Sequence, residues 1–296
     1  MSRILIGPAI GEAFGLIFAD VARFFALGGS WLLAVAALLM LTTLALIGWP
    51  EFVAVPALAA IACFLAGAAS FAVMALRVVM RRPVTPPGLT LRFGARERRF
   101  ARHAGLVVLL LAAALLGFLV VLPALARVLF ATVPLAAAMP ILGFMLLLCF
   151  GAAATASRLA LALPGLALDE RAPPFAAAWQ RGEGNGGRMF MGLLGCALPF
   201  LMLQRLAIGL LGTPIWFSAL AYVGGSDIPD LAPGQVVAAI IGAALAYLQI
   251  AVSAAFIAVC HHDLADNALA QPSAPFAAAD ALRLLPVTWA RRGGER

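Results

Sequence analysis

The chain has 296 residues, of which 64% are hydrophobic and 11% charged, with a net charge of +7. A soluble globular domain carries about 25% charged residues, so most of this chain does not face water. The basic excess does not point to nucleic acid, because it flanks long apolar runs, where arginine sets membrane topology and anchors to anionic lipid.

Residues 1–30 are read as an N-terminal amphipathic cytoplasmic segment. Glu12, Asp20 and Arg23 recur near helical spacing among Ile10, Phe14, Ile17, Phe18, Val21 and Phe25. That spacing predicts an interfacial helix on the inner leaflet, ended by Gly28-Gly29. The same polar residues interrupt any apolar signal core, so no cleavable leader is expected.

Six apolar runs follow, at about 31–49, 52–80, 104–126, 138–163, 188–212 and 235–260. An α-helix needs roughly 20 residues to cross the hydrocarbon, and a β-barrel would show short alternating segments instead. The expected fold is therefore an all-α membrane protein. Its six transmembrane helices occupy residues 31–263, and a cytoplasmic tail, 264–296, carries a short surface helix.

The arginines orient it. There is no lysine, and all but Arg127 and Arg205 of the 20 basic residues fall in alternate connectors. The second connector alone holds Arg77, Arg81, Arg82, Arg92, Arg96, Arg98, Arg99 and Arg102. By the positive-inside rule both termini are expected in the cytoplasm.

Two of these basic connectors read as further surface helices. Residues 89–103 interleave Leu91, Phe93 and Phe100 with arginines, and 174–183 begin with Pro174 and carry Trp179. Proline suits a first helical turn and tryptophan the headgroup level. A surface helix before each pair of spans would make three repeated hairpin units. The echo of Ala172-Pro-Pro-Phe in Ser273-Ala-Pro-Phe suggests a fourth surface helix at 275–285. Arg96, Arg98, Arg99 and Arg102 are then candidates for contact with anionic headgroups.

The most specific pattern runs from span four into span five: Arg158, then Pro164, Asp169-Glu170-Arg171, Trp179 and Gly184-Asn185. Arg158 at a helix end can bind carbonyls there, a lipid phosphate, or Asp169 and Glu170. Pro164 disrupts the helix, and Gly184-Asn185-Gly186 tolerates positive φ. In these residues and spacings the chain resembles the bacterial six-span inner-membrane proteins described as glycerophosphoryl diester phosphodiesterase membrane-domain-like. The resemblance implies a multi-pass inner-membrane protein and names no reaction. With three histidines and no carboxylate cluster, the chain offers no phosphodiesterase centre.

Polar residues within the spans are few. Arg127 and Arg205 stand near outer interfaces, where long side chains snorkel, and Gln249 lies near mid-membrane, where an amide seeks a partner helix. Cys63, Cys149, Cys196 and Cys260 are isolated thiols that act as apolar fillers. His261 and His262 point about 100° apart on a helix, poorly placed to share one ion, and are read as a polar collar. No acidic residue lies deep in a span, which disfavours ion-coupled transport. No catalytic residue, cofactor or metal is assigned. The expected function is a non-enzymatic scaffold or accessory subunit that binds anionic lipid and a membrane-protein partner. The alternative is a transporter or flippase for a lipid-like or apolar substrate.

Overall fold

Proline and glycine divide the chain into its helices. The computed structural model describes residues 4–80, 91, 93–133, 135–168, 174–215, 218–219, 221 and 233–270. Among these, every regular element is helical.

Helix α1 (Ile6–Phe18) ends at Ala19-Asp20, and α2 (Val21–Gly48) begins at once. Gly28-Gly29 therefore lies inside a membrane helix and does not terminate a surface one. Gly28 is buried there, and a Cβ on it would stand 3.1 Å from Tyr247 Cδ1, so its missing side chain serves a close approach. Trp49 precedes proline and leaves the helix at φ −145°, ψ 69°, as the proline ring demands. A 3-10 turn (Pro50–Phe52) then leads into α3 (Ala54–Val79).

Helix α4 (Ala95–Leu116) starts at Gly94, whose N–H donates to Glu97 Oε2 at 2.9 Å. The surface helix expected at 89–103 is not separate: from residue 95 it forms the first turns of span three. No proline lies between Arg102 and the span, and one glycine, Gly105, costs a helix only about 1 kcal/mol. A π turn (Gly117–Val121) joins α4 to α5 (Leu122–Thr132). Pro123 explains it, because the ring lacks an N–H and displaces the carbonyl four residues back.

Span four consists of α6 (Leu135–Leu159) and a short α7 (Ala162–Ala167). The break falls at Ala160-Leu161, where Pro164 can return no N–H to the Ala160 carbonyl. Then come α8 (Pro174–Arg181), α9 (Gly186–Leu211) and α10 (Pro233–Ala270).

Among the described residues, six helical stretches are long and apolar enough to cross a membrane: Val21–Gly48, Pro50–Val79, Ala95–Leu116, Ala137–Ala167, Gly186–Leu211 and Gly234–Ala265. The protein is an all-α multi-pass membrane protein. The expected boundaries at 30/31 and 263/264 both fall within continuous helices, α2 and α10, because no breaker separates surface from span there. Of the surface helices, α1 and α8 stand apart from the spans, whereas the 275–285 segment lies outside the described residues.

Helix α10 is the axis. It touches α1, α2, α3, α7 and α9, and Ala254–Cys260 is buried on every side, as suits a helix apolar all round. Beyond it α6 packs on α9, and α4 on α6 and α3. Among the described residues, the buried hydrophobic ones form two clusters. The larger joins Ile17, Trp31, Phe71, Leu161, Met189 and Phe256. The smaller, near the 3-10 turn, joins Val35, Leu39, Val53, Ile215 and Ala243.

Candidate functional site

One end of the bundle is built around arginines. Arg23 lies in the first turn of α2, Arg77 in the last of α3, Arg96, Arg98, Arg99 and Arg102 at the start of α4, Arg158 in the last turn of α6, and Arg188 at the start of α9. This basic end gathers the motif residues expected from sequence.

Arg158 serves two helix ends at once. It sits at the C-terminus of α6, and its Nη2 donates to the Trp179 carbonyl in the last turn of α8. A cation favours such carbonyls, which have no intrahelical partner. The guanidinium also lies over the Trp179 ring, 3.9 Å from its centroid. Trp179 is 46% exposed, so the pair reaches the surface. A Cβ on buried Gly182 would collide with Arg158 Cγ, so the residue after α8 is small to admit this side chain. Arg158 Nε is buried without a partner among the described residues. Pro164 is buried in α7, where its carbonyl accepts the Leu168 N–H at 3.0 Å.

Helix α8 is tied to three spans by three of its own residues. Phe175 packs on His103 of α4, with ring centroids 5.1 Å apart. Trp179 meets Arg158 of α6. Arg181 Nη1 donates to His261 Nε2 of α10 at 2.6 Å. A guanidinium cannot accept, so Nε2 holds the lone pair and the ring proton sits on Nδ1. His261 is only 7% exposed. It is therefore an internal acceptor and not part of the polar collar expected of it, because its ring is buried and Arg181 of α8 reaches in to meet it.

Asn185 fills a role its sequence context did not suggest. The positive φ in this turn, 75°, belongs to Gly184, while Asn185 has φ −110°. Its Oδ1 accepts the Ile4 N–H at 3.2 Å, and Arg188 Nη1 donates to the Ile4 carbonyl at 3.2 Å. Both main-chain groups of Ile4 are thus satisfied by side chains at the start of α9, Asn185 before its first turn and Arg188 within it. Ile4 is 3% exposed, where an unmet N–H would be costly. Helix α1 continues from this clamp along α9 and α10, burying Ala9, Ala13 and Ile17, with Phe14 stacked on Phe200 at 6.2 Å. One face of the expected lipid-lying helix is therefore covered by protein.

The arginines of this end divide into two sets. Arg77 Nη1 donates to the Ala167 carbonyl at the end of α7, at 3.5 Å, and Arg158, Arg181 and Arg188 are bound as described. Arg23 lies 3.9 Å from Asp20 in an exposed pair. Arg96 is half-buried, whereas Arg98, Arg99 and Arg102 are exposed. Among the described residues, several guanidiniums serve free carbonyls inside the fold and do not face outward. Asp169, Glu170 and Arg171 lie outside the described residues.

The three intramembrane candidates lie on separate helices. Arg127 is exposed on α5, Arg205 is exposed near the end of α9, and Gln249 is half-buried in α10. Near Gln249, Tyr247 is 2% exposed, and its hydroxyl has no partner among the described residues. The clamp on Ile4 left no signal, because it joins residues from opposite parts of the chain. Compared with known family models, curated proteins and solved structures, the chain matches none.

Proposed function

We propose that this protein is a non-enzymatic scaffold or accessory subunit of the bacterial inner membrane, with both termini and the basic end in the cytoplasm. The basic end meets anionic headgroups and a membrane-protein partner. We further assign it to the six-span family that its Arg158–Asn185 segment resembles.

The observation that carries this reading is the attachment of α8. A short helix bound to α4, α6 and α10 through His103, Arg158 and His261 resists relative movement of those spans. Transporters need such movement, by rocking or gating of one bundle against another. A fixed end presenting charge and one exposed tryptophan suits a docking platform.

The test is affinity purification of the full chain in mild detergent, with identification of co-purifying proteins and lipids. A stoichiometric membrane-protein partner, lost on Trp179→Ala, supports the proposal. A chain that purifies alone and moves a labelled lipid between leaflets of reconstituted vesicles overturns it. Orientation is read separately in a cysteine-free background, where a thiol placed by Glu51→Cys should react from outside the cell and one placed by Glu97→Cys should not.

A further inference from the structure

Helix α4 carries a surface with a charged head and an apolar tail on one face. Its buried stripe is Phe100, Val107 and Ala114. At 100° per residue the opposite stripe is Arg98, Arg102, Gly105, Leu109, Ala112 and Leu116. All six are exposed, Leu109 at 65% and Leu116 at 57%. The face thus presents two guanidiniums at the basic end, then a gap, then an apolar ridge along the span. The gap is open, since nothing lies within 4 Å of a Cβ built on Gly105.

The two arginines are spaced for one phosphate. Residues four apart on a helix lie about 6 Å from each other, and two guanidiniums at that spacing can converge on a single anion. Leu109 follows Arg102 by about 10 Å along the axis, the reach from a phosphate to the upper acyl chain. Unlike Arg77, Arg158, Arg181 and Arg188, Arg98 and Arg102 have no hydrogen bond or carboxylate partner among the described residues. Glu97 is turned away to the Gly94 N–H. Positive charge in the first turns of a helix also opposes the helix dipole, so an anion bound there relieves both.

We propose that this face of α4 binds one anionic phospholipid. Arg98 and Arg102 hold the phosphate, the glycerol lies over Gly105, and an acyl chain follows Leu109 and Leu116. An anionic lipid fits better than a zwitterionic one, because no free carboxylate among the described residues stands beside the two arginines to meet a headgroup amine. The proposal deepens the reading of the basic end as the side facing an anionic leaflet.

The test is native mass spectrometry of the full chain in detergent micelles, titrated with phosphatidylglycerol or phosphatidylcholine of equal chain length. The wild type should retain one phosphatidylglycerol in preference. The Arg98→Gln/Arg102→Gln double variant should weaken that binding about fivefold per arginine removed. Arg127→Gln, at the opposite end, should leave it unchanged. Gly105→Leu fills the gap without altering charge and should weaken binding too, which keeps the test valid if the double variant is unstable. Equal retention of the two lipids, or undiminished retention by both the double variant and Gly105→Leu, would overturn the proposal. So would competition by inorganic phosphate at equal concentration, which would make the ligand a soluble anion. A micelle has no sides, so failure of the orientation experiment leaves this measurement standing, and the reverse holds.

Discussion

Tyr247 of α10 places its hydroxyl against Gly67 of α3, where a Cβ would overlap it and would stand 2.9 Å from Trp31 Cβ. The ring is held between Phe64 and Phe71, with centroids 5.7 and 5.1 Å away. A tyrosine on one helix and a glycine on the next thus form a socket that joins α2, α3 and α10. The hydroxyl has no partner there among the described residues, so the socket is held by shape and not by hydrogen bonding.

Tyr247→Phe should stabilise the bundle by about 1–2 kcal/mol, because it removes a buried hydroxyl that gains nothing in return. Gly67→Ala should destabilise it by about 1–3 kcal/mol through overpacking. In the Tyr247→Phe background the alanine should cost less, since the overlapping oxygen is gone. Thermal unfolding of all four proteins in one detergent closes the cycle. Additive effects would show that the two residues do not meet.

Trp179→Leu should loosen α8 by removing the ring beneath the Arg158 guanidinium, at a cost of about 1 kcal/mol. Arg158→Lys should not substitute for arginine. An ammonium cannot lie flat on the indole while donating to the Trp179 carbonyl. Proteolysis of the α8 region, followed over time, should rank wild type slowest and place the two variants together.

Asn185→Ala should release the start of α1. It leaves the buried Ile4 N–H without an acceptor, worth about 1–3 kcal/mol. Hydrogen–deuterium exchange in peptides covering residues 4–18 should speed up. Asn185→Asp keeps an oxygen for Ile4 and should exchange close to the wild-type rate. Equal exchange in all three proteins would mean that the clamp does not hold the helix.

His261→Leu should expose Arg181 to trypsin, because the guanidinium loses its acceptor on α10. His261→Gln presents a carbonyl oxygen and should protect the same bond better. The rate of cleavage at Arg181 distinguishes the two, and identical rates would remove His261 as the tether.

The six spans were legible because lipid allows only helices and closed barrels, and long apolar runs fit only the helix, a signal that survives without any knowledge of contacts. The ends of the helices were less so. Gly28-Gly29 looks like a stop in a linear reading, yet in the fold it is where Tyr247 and Phe71 approach. Arg102 looks like the edge of a surface helix, but nothing in its neighbourhood stops α4 from running on. At the basic end, the spacing of Arg158, Pro164, Trp179 and Asn185 drew attention to one segment, in which the fold brings Arg158 and Trp179 into contact. What each residue touches depended on partners far away in sequence: Ile4 for Asn185, and His261 for Arg181. No local pattern encodes a donor or acceptor brought in from another part of the chain.

The place of α10 also bears on how the molecule is made. The axial helix is the sixth span in chain order, so α2 and α3 are synthesised well before the surface they close upon. Until it arrives, Gly28 and Gly67 border an unfilled slot, and the first hairpin can rely only on its own mutual packing and on lipid. Assembly of the centre thus waits for the sixth span, and any delay in releasing that helix leaves the earlier spans holding a vacancy shaped for Tyr247.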